Sequence, residues 1–343
     1  MLNIGWLIFE QKAGMDIFLM VLGGLGLFLF AVNNLSDTLE ELIGNKANKW
    51  LDLFTKNLIT SVLTGTAATV LLDSSSAVII MTIVLVNAGA LTFRQSLGIV
   101  MGANIGTTFS SQLIALDIGQ YSPVPIFLGL VFSFFAKSEK VSNAGRVVLY
   151  FGILFFGLYT MERAVEPLKD HEKFLSWMER LESPLRGTFI GALVTLLIQS
   201  SSATVGMVIT LAKKQLINLP GAMAVMLGAE LGTCSDTLMA TIRADRQAVK
   251  TGLFHLAFNV LCIVIGLAVF PQFYTFIEWI SAGAGMQQKI ANAHMVFNTA
   301  GVLLFLPFIP LIEKLLDRIL PPKPVMAEAE SPLIKSEADR SHL

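Results

Sequence analysis

Two serine-rich segments carry the side chains of this chain that are best suited to binding ions. Each follows an apolar stretch, and the second lies 199 − 73 = 126 residues after the first. The first consists of Asp73, Ser74, Ser75 and Ser76, and the second of Gln199, Ser200, Ser201 and Ser202. A hydroxyl group both donates and accepts hydrogen bonds, so serine can bind an anion and a cation in one site. Polar runs inside such apolar sequence predict broken helices around a polar site, as in secondary transporters.

A second motif recurs with the same offset, 228 − 102 = 126 residues. Its first copy contains Gly102, Asn104, Gly106, Thr107 and Thr108, and its second contains Gly228, Glu230, Gly232, Thr233 and Cys234. Glycines four residues apart are typical of a helix-packing face. They also let the backbone of an unwound helix approach a ligand without obstruction by a Cβ atom. We expect the unwound form, because Asn104 and Glu230 lie between the glycines.

Each serine segment separates two apolar arms, over 58–72 and 77–88 in the first copy and over 184–198 and 203–212 in the second. The arms are shorter than the about 20 residues that a membrane-spanning helix needs. One interpretation is a single long helix that contains serines. The interpretation we prefer is a re-entrant hairpin with the serines at its tip. Such a hairpin must be wrapped in protein or line a cavity, because lipid cannot satisfy its backbone groups.

Composition places the chain in a lipid bilayer. Its 343 residues are 54% hydrophobic and 14% charged, with a mean hydropathy of +0.68, whereas soluble domains carry about 25% charged residues. No basic stripe supports nucleic-acid binding. Cys234 and Cys262 fall in apolar helical sequence, and the histidines share no metal-ligand spacing, so we expect neither a disulfide nor a metal motif.

The repeat predicts the organisation of the chain. We expect an N-terminal segment over 1–16, a first membrane repeat over 17–142, a second, inverted repeat over 143–268, a connector and final transmembrane helix over 269–320, and a disordered tail over 321–343. Each repeat would hold a spanning helix (15–40; 146–166), the hairpin, a motif-bearing helix (93–116; 220–242) and a last span (121–136; 247–270), and a final helix would cover 288–312. Three spans per repeat make the second repeat inverted.

Basic residues predict the orientation in the membrane. Most of them, including Arg94, Arg146 and Arg246, fall on one side of the predicted topology. That side is the cytoplasm by the positive-inside rule. The N-terminus is then outside and the C-terminus inside, although the segment 163–186 and the pair Lys213 and Lys214 place positive charges outside as well.

The duplicated (Gln/Asp)-Ser-Ser-Ser-Ala segments, each followed by Gly-Ala-(Asn/Glu)-x-Gly-Thr, resemble the type II sodium-dependent phosphate cotransporter family over about residues 17–268. The resemblance implies Na⁺-coupled uptake of inorganic phosphate by an all-α protein with two inverted repeats, each with a re-entrant hairpin and an unwound helix, and one extra C-terminal span. Na⁺ would be the coupling ion, with no other cofactor. The ligands that it implies are the six serines and Gln199, with Asn104, Thr107, Thr108 and Thr233 from the unwound helices.

Two acids depart from the pattern of that family. Asp73 stands where the family has Gln, as the second copy does at Gln199, and Glu230 stands where the first copy has Asn104. Carboxylates in a membrane normally pair with a cation or titrate. We therefore expect Asp73 and Glu230, together with Ser75 and Ser201, to bind Na⁺, or the acids to accept H⁺. The alternative is that one or both acids point into a helix interface and stay protonated.

Other functions remain open at this point. The acids, with Asp236, would repel a phosphate dianion unless a cation lies between them, so a transporter of sulfate or a carboxylate is one alternative and an uncoupled anion channel another. A serine enzyme is excluded, because no His or Lys base accompanies the serines and Gly-x-Ser-x-Gly is absent. We expect a multi-pass protein of a bacterial inner membrane whose partners are phosphate, Na⁺ and lipid, with a homodimer as a further expectation.

The sequence His-x-x-Phe-Asn occurs twice, at His255–Asn259 and at His294–Asn298. A histidine and an asparagine four residues apart share one face of a helix. We expect them to make structural hydrogen bonds between helices rather than to carry protons or ions.

Overall fold

The computed structural model describes residues 2–43, 57–116 and 118–321, with side chains from residue 14 onward except at 36, 40, 42 and 43. In these residues every regular element is a helix. The α-helices are α1 (Leu2–Ile43), α2 (Leu58–Leu72), α3 (Ser75–Asn87), α4 (Phe93–Ile114), α5 (Pro123–Phe135), α6 (Glu139–Val165), α7 (Glu172–Glu179), α8 (Pro184–Ile198), α9 (Ser201–Lys213), α10 (Leu219–Gly232), α11 (Cys234–Ala240), α12 (Arg246–Ala268), α13 (Phe270–Ile280), α14 (Met286–Phe305) and α15 (Ile309–Ile319).

Four described segments are long and apolar enough to cross a membrane: Gly14–Leu39, Glu139–Asp170, Arg246–Ala268 and Met286–Ile319. A fifth is added if Glu172–Glu182 and Pro184–Ile198, bent by 106°, count as one span. The predicted all-α, multi-pass membrane architecture is therefore confirmed.

Some predicted boundaries differ from those observed. Helix α1 begins at Leu2, well before the predicted start of the first spanning helix at residue 15. Helix α5 covers 13 residues of the predicted span over 121–136, and the short 3-10 helix Gly119–Tyr121 precedes it. The predicted tail lies, apart from Pro321, outside the described residues.

Both serine segments break a helix in the same way. Asp73 (φ 50°) ends α2, and Gln199 (φ 59°) ends α8, each in the left-handed conformation that often terminates helices. Ser74 and Ser200 then cap the next helix, because their hydroxyls accept hydrogen bonds at 3.1 Å from the backbone N–H groups of Ala77 and Ala203. The interpretation as one long helix is therefore wrong.

Helix α4 shows that the first hairpin returns to the end at which it started. Its 22 residues extend over about 33 Å, and α2 packs along it from Gly98, which lies against Leu58, to Ser110, which bonds Asp73. The chain enters α4 at Phe93, shortly after α3 ends at Asn87. In the second hairpin, α8 packs along α10 in the same manner.

The motif glycines bring helices together. A Cβ atom on Gly102 would lie 1.9 Å from the carbonyl oxygen of Val62, and one on Gly228 would lie 1.9 Å from that of Thr188. A Cβ atom on Gly106 or Gly232 would lie 2.5 Å from the Cβ atom of Thr69 or Thr195, one turn further along the same partner helices, α2 and α8. Helix–helix packing, the first of the two interpretations of these glycines, therefore accounts for them.

The predicted unwinding of the motif-bearing helices is wrong. Helix α4 continues through Gly102, Asn104 and Gly106 to Ile114 without a break. Its counterpart is interrupted only at Thr233, between α10 and α11, and the φ and ψ of Thr233, −63° and −23°, remain helical. The glycines pack directly against the hairpin arms, and both helices remain helical at the centre of the molecule.

Candidate functional site

The tip of the first hairpin combines a carboxylate with hydroxyl groups. The Asp73 carboxylate accepts a hydrogen bond from the hydroxyl of Ser110 on α4. Helix α3 begins at Ser75, so the backbone N–H groups of Ser75 and Ser76 are at its first turn and lack partners within the helix. Helix N-termini attract anions, whereas Asp73 attracts cations. The tip therefore offers groups for ions of both signs.

A second carboxylate reaches this tip from the other half of the chain. The Ser76 hydroxyl donates to Asp236 Oδ2 at 3.4 Å, and Ser235 donates to Asp236 Oδ1 at 3.2 Å. Asp236 lies in the first turn of the short helix α11, and it stands 126 residues after Ser110. Asp73, Ser76, Ser110 and Asp236 thus form one polar cluster from both repeats.

The second hairpin tip has the same backbone but lacks the carboxylate. Gln199 is exposed and Ser200 half-buried, whereas Ser201 and Ser202 are buried. No hydrogen bond within the described residues involves the hydroxyls of Ser75, Ser201 and Ser202, and their oxygen atoms are not fully enclosed, since Thr69 carries the one fully buried side-chain atom without a partner there. A free and accessible hydroxyl can bind an ion, so these three are suited to a bound ligand.

Glu230 is buried at the centre of the molecule and does not lie at a hairpin tip. Its Oε1 lies 2.6 Å from Nε2 of His294 and accepts a hydrogen bond from Asn298 Nδ2 at 3.3 Å. The other ring nitrogen of His294, Nδ1, lies 2.7 Å from the Ser111 hydroxyl. The carboxylate is therefore held between α4, α10 and α14. The expected hydrogen-bonding role of the His-x-x-Phe-Asn segments agrees with these contacts.

Asn104, at the position equivalent to Glu230, is held in a parallel way. Its Nδ2 donates to Asn259 Oδ1 at 2.7 Å. The Asn259 amide lies 3.1 Å from His255 Nε2, and His255 Nδ1 lies 2.8 Å from the Thr237 hydroxyl. Asn259 also donates to the backbone carbonyl of Glu230 at 3.1 Å. The two equivalent positions are joined through this one asparagine.

The three motif threonines point back into their own helices. Thr107, Thr108 and Thr233 donate to the carbonyls of Ala103, Ile105 and Ala229. Because each hydroxyl keeps its oxygen lone pairs, it can still coordinate a cation, but its proton is not available to an anion.

The predicted ligands therefore fall into separate groups. The structure joins Asp73 and Ser76 in one cluster, and Glu230 and Asn104 in another, while Gln199 stays exposed. Sequence reasoning missed Ser110 and Ser111, and it missed that Asp236 pairs with Ser76 and Asn298 with Glu230. The signal for the serines and Asp236 was the same 126-residue offset, which relates Ser110 to Asp236 and Ser111 to Thr237.

Comparison with known proteins agrees with this architecture. A family model described as "Na+/Pi-cotransporter" matches residues 27–163 and again residues 167–305. The chain is 30% identical over 297 residues to "Uncharacterized protein YqeW" of Bacillus subtilis, a match that covers 86% of this chain and 96% of that protein.

More distant relatives carry functional names. The protein named "Putative inorganic phosphate export protein YjbB" in Salmonella typhimurium is 24% identical, over 76% of this chain and 48% of its own length. "Sodium-dependent phosphate transport protein 2B" of Homo sapiens is 29% identical over 36% of this chain and 20% of its own length. The chain thus spans about half of the export-named relative. No solved structure matches.

Proposed function

This multi-pass membrane protein belongs to the Na⁺/Pi-cotransporter family, a family of transporters and not of enzymes, and from that premise we propose that it moves inorganic phosphate across a bacterial membrane in symport with Na⁺. The observation that carries the proposal is the pair of serine tips with identical caps, the first of which has the Asp73 and Asp236 carboxylates beside the start of α3. Oxyanion and cation groups lie side by side there.

The acids decide which groups bind Na⁺ and which bind phosphate. We assign Na⁺ to the acids, at the first tip to Asp73 and Asp236 with Ser75 and at the centre of the molecule to Glu230, because a carboxylate repels a phosphate dianion unless a cation lies between them. Phosphate then binds to the N–H groups that begin α3 and α9 and to the hydroxyls of Ser201 and Ser202. In this arrangement Na⁺ is required for phosphate to bind.

We propose that the two hairpins enter from opposite sides of the membrane, an arrangement suited to alternating access. The start of α4 lies beside α12, and its end lies beside the start of α14, where Gln288 donates to Gln112 at 2.7 Å. The open end of the first hairpin lies at the start of α4. The open end of the second lies where Lys213 and Lys214 pair with Glu162 at 2.6 and 3.0 Å. We propose inverted repeats that open the site to each side in turn.

We propose uptake as the direction, because an inward Na⁺ gradient drives inward symport; a membrane potential worth about 2.3 kcal/mol per charge and 100 mV adds to this drive when more Na⁺ charge than phosphate charge moves. Because some relatives are named for phosphate export, the test also covers transport in the opposite direction. A homodimer stays a prediction, since neither the fold nor the comparisons bear on it.

The test is uptake of radiolabelled phosphate into proteoliposomes that contain the purified protein. The variants are Asp73→Asn and, as a matched control, Glu172→Gln, which changes an exposed acid at the start of α7. We expect uptake in the wild type and the control only with an inward Na⁺ gradient, and at least a tenfold higher half-saturating Na⁺ concentration in Asp73→Asn.

Three results would contradict the proposal in different ways. Uptake without Na⁺ would indicate a channel. Uptake that excess sulfate or a carboxylate abolishes would indicate another anion. Phosphate flux that only an outward gradient supports would indicate export.

A further inference from the structure

A second internal duplication, with an offset of 39 residues, lies in the C-terminal third of the chain. It relates Lys250 to Lys289, His255 to His294, Phe258 to Phe297, Asn259 to Asn298, Pro271 to Pro310 and Glu278 to Asp317. The two copies are the helix pairs α12–α13 and α14–α15. This offset differs from the 126 residues that relate the serine hairpins, so the last membrane helix is a copy of α12 and not an unrelated addition.

The lysine of each copy forms an ion pair with the acid of the other copy. Lys250 of the first copy pairs with Asp317 of the second, and Lys289 of the second pairs with Glu278 of the first at 2.8 Å. Lys250 lies 5.6 Å from the ring of Phe93 at the start of α4, whereas α14 begins at the other end of α4. Helices α12 and α14 therefore run in opposite directions along α4.

At the centre of the molecule, the two copies likewise bond equivalent residues of the two serine-bearing repeats. His294 bonds Ser111, and its counterpart His255 bonds Thr237, which stands 126 residues after Ser111. Asn298 bonds Glu230, and its counterpart Asn259 bonds Asn104. Helix α14 thus bonds Glu230, and helix α12 bonds Asn104, the residue at the equivalent position of the first repeat.

We propose that Ser111 and His294 are positioning residues that fix the Glu230 carboxylate, as Thr237, His255 and Asn259 fix the Asn104 amide, and that Na⁺ affinity depends on this support. The proposal rests on the Na⁺ coupling proposed above. Ser111 does not reach Glu230. It bonds the far side of the imidazole ring whose Nε2 contacts the carboxylate, and so orients the ring. Ser111 is 1% exposed and His294 is 0% exposed, so no water replaces the lost bond readily.

A matched pair of substitutions separates positioning from general packing. Ser111→Ala removes the bond to His294. Ser96→Ala, on the same helix and 0% exposed, removes an equivalent bond of 2.9 Å to Thr251 on α12. Thr251 otherwise bonds the Gln247 carbonyl, and hydrogen-bonds neither Asn104 nor Glu230. Ser111→Thr restores a hydroxyl, and threonine is the residue that the second repeat uses at this position.

The measurements are the half-saturating Na⁺ concentration for phosphate uptake at saturating phosphate, and the Na⁺-dependent shift in melting temperature of the purified protein without phosphate. We expect Ser111→Ala to raise the Na⁺ requirement about tenfold in both, the loss expected for one hydrogen bond that orients a charged group. Ser96→Ala and Ser111→Thr should stay within about twofold of the wild type.

The two measurements keep this proposal distinct from the proposed function. If Na⁺ stabilises the wild type and Ser111→Ala weakens that effect while phosphate is not transported, the positioning role stands and the phosphate assignment fails. If Ser111→Ala matches the wild type, or if Ser96→Ala loses as much Na⁺ affinity, the positioning role is overturned. It is also overturned if Na⁺ changes neither the uptake nor the melting temperature.

Discussion

Thr195 donates a hydrogen bond to Thr204 at 2.8 Å across the second hairpin, whereas Thr69, its counterpart in the first hairpin, has a buried hydroxyl without a partner among the described residues. The residue equivalent to Thr204 is Val78, since 204 − 78 = 126. The two hairpins share one backbone but differ in this internal bond. An unpartnered buried hydroxyl lowers stability, because its desolvation is not compensated.

The same substitution should therefore have opposite effects in the two hairpins. We expect Thr69→Val to raise the free energy of unfolding by about 1–2 kcal/mol, because it removes the unpartnered group, and Thr195→Val to lower it by about 1 kcal/mol. Thermal unfolding of both variants in the same detergent measures the difference. Equal effects of the two substitutions would show that Thr69 is bonded in solution, to water or to an ion.

The close packing of the motif helices predicts a strong steric effect. A Cβ atom on Gly102 would overlap the Val62 carbonyl, whereas nothing lies within 4 Å of one on Gly26. We expect Gly102→Ala to separate α2 from α4 at a cost of at least about 3 kcal/mol and to reduce the yield of folded protein. Gly26→Ala, the control, should express as the wild type does. Size-exclusion profiles of the detergent-solubilised variants decide, and a normal profile for Gly102→Ala would contradict the packing.

The buried lysine on α12 predicts an asymmetry between two ways of breaking one ion pair. The Lys250 side chain is fully buried, and its partner Asp317 is about half exposed. Asp317→Asn leaves a buried charge without its counter-ion and should cost about 3 kcal/mol, whereas Lys250→Met removes the charge at similar volume and should cost less. Chemical denaturation of both variants and of the double variant tests this. A larger loss in Lys250→Met would contradict it.

The proposed opposite entry of the two hairpins predicts labelling from opposite sides of the membrane. Ala88 and Gln215 are exposed residues just beyond the second arm of each hairpin, and the native thiols of Cys234 and Cys262 are buried. We expect a membrane-impermeant maleimide to label Ala88→Cys from one side and Gln215→Cys from the other, in vesicles of known orientation. Labelling of both from the same side would rule out inverted repeats.

The sequence by itself determined the class of protein, the family and the serine hairpins. These depend on composition, on the 126-residue repeat and on local capping. Ser74 and Ser200 each cap the next helix through a backbone N–H group only three residues away. Such features are encoded within a few residues. The hydrogen-bonding face of the His-x-x-Phe-Asn helices followed for the same reason, because helical periodicity sets it.

Only the tertiary structure decided which groups meet. The sequence could not show that Gly102 and Gly228 face neighbouring backbone and not a ligand, since both interpretations use the same spacing. Nor could it place Asp236 beside Ser76, or Glu230 between His294 and Asn298. These contacts join residues far apart in the chain, and they arise because hairpin arms, motif helices and the duplicated C-terminal helices pack around one centre.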